Sequence, residues 1–145
     1  MGYRHIVLAV DFAEHSGPLI ERAQDLARQD QAALSIVHVV EYLPVMDSSF
    51  GPPVPLEVDL TEQMIEAARQ RLNALAERLG IPENRRWVQV GSPKTEIIRI
   101  AKEQNADLIV LGSHGRHGIA RILGSTASSV IQLAECDVLA VRLKG

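Results

Sequence analysis

Residues 112–126 read Gly-Ser-His-Gly-Arg-His-Gly-Ile-Ala-Arg-Ile-Leu-Gly-Ser-Thr. Glycine carries no Cβ, so a backbone rich in it can approach an anion closely. A helix opening on Gly124-Ser125-Thr126 would add unbonded amides, two hydroxyls and a favourable dipole at the same place. The chemistry that these residue types support together is the holding of a phosphate. A plainer reading makes Ser125 or Thr126 the cap of that helix. The phosphate reading gains weight because Gly112 and Gly115 follow an apolar run while Gly124 precedes the helix. The segment has neither the Gly-Lys-Ser/Thr of a Walker loop nor the G-x-G-x-x-G of a dinucleotide fingerprint.

Asp11 is the second residue of interest. It is a carboxylate directly after the apolar run Ile6 to Val10. It can face a ligand, with magnesium as one partner, or it can shape the loop that leads into the next helix. Other chemically active residues carry less. His114 and His117 have metal-like spacing but no further ligand nearby, and His114 fits a phosphate or ribose better. Arg116 and Arg121 could balance phosphate charge or simply be solvated. Cys136 reads as a small apolar residue, His38 as a core histidine, and Asp107 as part of a helix-to-strand turn. No acid–base pair, nucleophile triad or carboxylate cluster is evident, so no catalytic residue and no metal site is assigned.

The elements that must position these residues follow from periodicity. Ile6 to Val10, Leu108 to Leu111 and Val138 to Val141 are unbroken aliphatic runs, and Leu34 to Val40 is similar apart from Ser35 and His38. Such runs suit strands buried on both faces, the mark of a parallel sheet. Trp87 to Val90 is more mixed and reads as an edge strand. Between them lie helical patterns over Ser16 to Gln29, Asp59 to Leu79, Ser92 onward and about Ser125 to Ala134. Asp59 and Glu62 have capping-box spacing, Gly80 stands at a helix stop, and Ser92-Pro93 is a helix start. In the last helix Val130, Ile131 and Ala134 should face inward. Alternation of this kind predicts one α/β domain over residues 1–145, with parallel strands and right-handed crossovers. The proline-rich stretch Tyr42 to Val58 is predicted to be irregular, as a flap beside the site or as a plain surface loop. Ligands in such sheets bind beyond the carboxyl ends of strands, where strand order reverses. That would bring Asp11 and the glycine segment to one crevice.

Composition narrows the class. The 145 residues are 46% hydrophobic but only 3% aromatic, so the core is aliphatic. A net charge of −3 argues against a nucleic-acid or anionic-membrane binder. The single cysteine fits a reducing cytoplasm, and the N-terminus resembles neither a signal peptide nor a membrane span.

The chain resembles the universal stress protein family over essentially its whole length. The resemblance is carried by Ile6 to Asp11, His38-Val39-Val40, Gly91-Ser92-Pro93, Ala106 to Gly115 and Gly124-Ser125-Thr126. It implies a three-layer, doubly wound, Rossmann-like sandwich of the adenine nucleotide alpha hydrolase type. Its five-stranded parallel sheet would run in the order 3-2-1-4-5. It also implies a homodimer through the last strand, around Val138, Ala140 and Arg142. An apolar edge left open to solvent would be unusual in its own right.

The ATP-binding branch of the family carries G-x2-G-x9-G followed by Ser or Thr. Carried over, Gly112 and Gly115 face phosphate and ribose, with Ser113, His114 and Arg116 beside them. Gly124, Ser125 and Thr126 hold the terminal phosphates. Val10, Asp11, Phe12, Val39 and Val40 surround the base. The implied ligand is ATP or AMP, with or without magnesium. Here eight residues, not nine, separate Gly115 from Gly124. Phosphate contacts depend on placement within about 0.5 Å. The alternative is therefore a dimeric interaction protein that does not bind ATP. An enzyme, as a slow ATPase or an autophosphorylating protein on Ser125 or Thr126, is a third reading that lacks an identifiable base.

Overall fold

Each aliphatic run forms a strand: β1 (His5–Ala9), β2 (Ala33–Val40), β4 (Leu108–Gly112) and β5 (Asp137–Val141), with the mixed segment as β3 (Arg86–Val90). The computed structural model describes residues 2–13, 16–41, 56–113 and 124–143, the side chains of 56–60 excepted. All strand pairings are parallel and the order is β3-β2-β1-β4-β5. The sheet order is the one that the family resemblance implied, and β3 lies at an edge as its mixed composition suggests.

Four helices alternate with the strands: α1 (Gly17–Asp30), α2 (Leu56–Leu79), α3 (Pro93–Glu103) and α4 (Ser125–Leu133). They form two outer layers, because each central strand is apolar on both faces. Ile6, Leu8, Leu34, Ile36, Leu108 and Val110 pack beneath Leu19 and Ala23 of α1 and Leu72, Leu75 and Ala76 of α2. The alternate residues Val7, Val37, Val39, Ile109 and Leu111 pack against Ile97 and Ile100 of α3 and Ala127 and Val130 of α4.

Two expectations need correction. Helix α2 begins at Leu56, so residues 56–58 are helical and Asp59 lies inside the helix rather than capping it. Residues 56–60, Leu-Glu-Val-Asp-Leu, contain neither proline nor glycine, so nothing in them interrupts the helix. Tyr42 to Pro55, the rest of the expected flap, lies outside the described residues. In α4 the inward residues are Ala127 and Val130, and Ala134 at its C-cap packs against the same layer as expected, whereas Ile131 is 47% exposed. This helix sits beside the edge strand β5, and no described element covers its outer side.

Helices α1, α2 and α3 end alike, although only the second end was legible. Gln31, Gly80 and Asn105 take left-handed φ values of 53°, 71° and 53°. The following amides, of Ala32, Ile81 and Ala106, return to the carbonyls of Ala27, Ala76 and Ala101 at 2.9, 2.9 and 2.8 Å. These bonds satisfy terminal carbonyls and turn the chain back toward the sheet.

The amino edge of the sheet is closed by polar clamps. The fully buried Ser35 hydroxyl lies 2.5 Å from His5 Nε2, while His5 Nδ1 donates to the Gln104 carbonyl at 3.0 Å. Asp107 does more than shape its own turn, since it accepts from the Arg4 and His5 amides at 2.9 and 3.0 Å. Burial pushes the Asp107 carboxyl up, but the His5 and Arg4 amides and the His5 charge outweigh it and hold it below the ordinary carboxylate range. A carboxylate depressed in the folded state stabilises above its unfolded pKa, and that stabilisation is lost as pH falls through the folded value. Asp107→Asn should therefore destabilise the protein by about 1 kcal/mol at pH 7. In urea titrations at a series of pH values, the gap from the parent should narrow below about pH 4. A gap that stays constant down to strong acid would contradict the clamp.

Candidate functional site

Strand order reverses between β1 and β4, since β1 pairs with β2 on one side and with β4 on the other. The register places Leu8 beside Val110 and Ala9 beside Val37. Asp11 follows two residues after the end of β1, and Ser113 directly after the end of β4. Thus Val10, Asp11, Phe12, Val39, Val40, Gly112 and Ser113 all lie at the carboxyl edge of the central strands. His114, Gly115 and Arg116, with His117, Gly118 and Arg121, fall outside the described residues.

Helix α4 is anchored to the same edge. The Ser113 amide donates to the Val141 carbonyl at 2.8 Å, and the Gly124 amide donates to the Ser113 carbonyl at 2.7 Å. The residues on either side of the ten-residue span 114–123 are therefore joined directly. Gly124 is the N-cap with extended backbone, and no side chain caps the helix. Ser125 and Thr126 thus occupy the first turn rather than the cap position, and α4 starts at Ser125 as its sequence suggests.

Helix α3 opens toward the same place, which sequence reasoning did not anticipate. Its N-cap Ser92 makes no side-chain cap bond, and Gly91 before it has φ 145°, a backbone that favours glycine. Glu41, Ser92, Lys94, Ser125, Thr126 and Ser129 line a cleft of about 430 Å³ between the two helix starts. Ser92-Pro93 was legible as a helix start, but its proximity to α4 follows only from the packing of α3 on α4. Two helix N-termini and several hydroxyls favour an anion, while the charges of Lys94 and Glu41 in the lining oppose each other. A groove between α2 and β3 is less suited to this, because Arg86 there is already bonded to the Ile81 carbonyl, Asn73 and Glu77.

The β1 exit is tightly held. The Val10 amide donates to the Val37 carbonyl at 3.0 Å, and His38 Nδ1 donates to the Val10 carbonyl at 2.7 Å. Asp11 accepts the Ala13 amide at 3.0 Å, so the carboxylate does shape the local loop. Phe12 has φ 58°, which is rare for a bulky residue. Its ring lies 4.6 Å from that of His38 and 4.5 Å from the Arg71 guanidinium carbon. His38 is thus a buried, hydrogen-bonded histidine. Arg71 went unread because nothing in its helical surroundings marks it.

Cys136 is partly buried, and burial followed by the charges of Asp137 and Asp107 pushes its thiol up, away from thiolate reactivity. Among the described residues no three His, Cys, Asp or Glu side chains group to hold a metal ion. Among the same residues no helix is long and apolar enough to cross a membrane.

Comparison with known proteins supports the fold and identifies the family. The chain is 41% identical over 144 residues to universal stress protein A homolog 2 of Coxiella burnetii (strain RSA 493 / Nine Mile phase I), covering 99% of this chain and 97% of the relative. Its backbone resembles that of hypothetical protein MJ0577 with a TM-score of 0.82 at 23% identity, covering 100% and 99% of the two chains. It also resembles a universal stress protein crystallised in complex with cAMP, with a TM-score of 0.62 at 27% identity and coverage of 97% and 98%. Residues 2–142 match the family model described as the universal stress protein family, and the chain belongs to that family.

Proposed function

We propose that the crevice at the β1–β4 reversal binds an adenine nucleotide, ATP or AMP, and that this binding rather than catalysis is its work. The observation that carries the reading is the 2.7 Å bond from the Gly124 amide to the Ser113 carbonyl. It seats the uncapped start of α4 against the β4 exit although the preceding loop is one residue short of the ATP-binding pattern. The universal stress protein with cAMP bound adds support, since its ligand is also an adenine nucleotide.

In this reading the first-turn amides of α4 and the Ser125 and Thr126 hydroxyls donate to phosphate oxygens. Gly112 and Gly124 let the backbone come close, and Ser113 leads into the loop that His114, Gly115 and Arg116 continue. Val10, Phe12, Val39 and Val40 shape the base side, and Asp11 accepts from the adenine or ribose. Lys94 and the α3 start add positive potential along the phosphates. Magnesium would arrive with the phosphates, with Asp11 as a carboxylate within the crevice.

The test is mass analysis of denatured protein for co-purified nucleotide, with calorimetric titration of ATP and AMP under magnesium. Millimolar or tighter affinity for at least one is expected. No binding at millimolar concentration of either would defeat the reading. AMP binding without ATP binding would confine it to the base and ribose.

A second reading has a specific observation behind it. Val138, Leu139, Ala140 and Val141 on the edge strand β5 are only partly buried, and Ile131 and Leu133 of α4 are 47% and 59% exposed. This continuous apolar edge fits a homodimer paired through β5 around Val138, Ala140 and Arg142, in the cytoplasm and without nucleic acid or membrane as partner. Such a dimer could act through its surface with or without nucleotide. Sedimentation at micromolar concentration should show twice the monomer mass.

A further inference from the structure

Phe12 is held in a conformation that side-chain-bearing residues avoid, directly beside the carboxylate at the centre of the crevice. Its φ of 58° brings Cβ close to the following carbonyl, and a bulky residue persists there only when its surroundings over-determine it. Phe12 packs against the core layer under α1 and α2, and its ring is contacted from two further elements. The Arg71 guanidinium of α2 lies 4.5 Å above the ring, and the His38 ring of β2 packs 4.6 Å from it, tilted by 48°. His38 is itself fixed, because Nδ1 donates to the Val10 carbonyl at 2.7 Å.

We propose that Arg71, Phe12 and His38 form a positioning stack that holds the Phe12 backbone left-handed and thereby aims the Asp11 carboxylate into the crevice. The ring need not touch a ligand for this. Rotating Phe12 into a relaxed conformation would redirect the chain on either side of it. The bond from the Ala13 amide to Asp11 Oδ1, 3.0 Å long, would then break. Arg71 is a positioning residue one step further out, since its cation lies over the ring at 4.5 Å from the centroid. The consequence for affinity rests on the nucleotide reading above; the positioning itself does not.

The test separates the two. Hydrogen exchange of the Ala13 amide, followed by NMR on the full chain without nucleotide, reports the Asp11 turn directly. Phe12→Ala keeps a Cβ and loses the stack, so exchange should quicken by about tenfold. Phe12→Gly accepts a left-handed backbone without strain. It should exchange more slowly than Phe12→Ala and bind ATP or AMP more tightly than it. Arg71→Met should quicken exchange by about threefold, and Arg71→Lys should restore part of the loss. Unchanged Ala13 exchange in Phe12→Ala would overturn the proposal. So would Ala13 exchange that is no slower in Phe12→Gly than in Phe12→Ala, because the left-handed backbone would then not be what the stack holds. If the parent chain binds neither nucleotide but exchange follows the expected order, the stack stands and the nucleotide reading fails.

Discussion

Ser125→Asp should lower affinity for ATP by about a hundredfold while leaving the fold as stable as before or slightly more so. The two effects have opposite signs because the same field acts on two different charges. Ser125 is the first residue of α4, and no acidic residue lies in the first turn. A carboxylate there meets the positive end of the helix dipole, a gain of about 0.3–1 kcal/mol. If phosphates occupy that position, the same carboxylate sits about 4 Å from them. Like charges at that distance and an effective dielectric of about 20 repel by about 4 kcal/mol. Water in the open crevice reduces this to about 3 kcal/mol, hence the expected hundredfold. Titration calorimetry with ATP and a thermal melt on the same sample measure both signs. A rise in melting temperature with undiminished ATP affinity would place the phosphates away from α4. A fall in both would show that Ser125 supports the fold rather than a ligand.

The largest loss of stability should come from the strand whose run was easiest to read. Leu8 lies in β1 between two neighbouring strands, has no exposed surface, and contacts the layer made by α1 and α2. Leu8→Ala removes buried methyl groups and leaves a cavity that the flanking strands β2 and β4 cannot collapse, at a cost of about 3 kcal/mol. That is a large share of the roughly 5–15 kcal/mol typical of a domain. Ile131→Ala, an aliphatic truncation of similar size, should change monomer stability by less than about 0.5 kcal/mol, since Ile131 is 47% exposed. Urea denaturation of both variants at low and high protein concentration gives the comparison. A concentration-dependent penalty for Ile131→Ala would mean that a second chain covers this side of α4. A small penalty for Leu8→Ala would mean that the central sheet repacks.

Strands and helices were legible because burial is periodic. A strand covered on both faces must be apolar at every position, and Ile6 to Val10 and Leu108 to Leu111 are. Helix ends were legible where one residue type dominates, as at Gly80, and illegible where Gln31 and Asn105 take the same left-handed turn under tertiary support. The start of α2 was misplaced because Asp59 and Glu62 fit a capping box locally, while the helix in fact begins just after Pro55. Ile131 was placed inward because it shares helical spacing with Val130, although periodicity cannot tell whether a neighbouring element lies over a face.

By itself the sequence determined the class of the fold and its aliphatic core, since these depend on residue type and on spacing along one element. Only the tertiary structure decided which ends meet. It brought α3 to the same cleft as α4, tied Gly124 to Ser113 across the shortened loop, linked Asp107 to the start of β1, and set Arg71 over Phe12. Each of these joins residues distant in the chain or on separate elements, and their meeting depends on how two layers pack on one twisted sheet rather than on any local pattern.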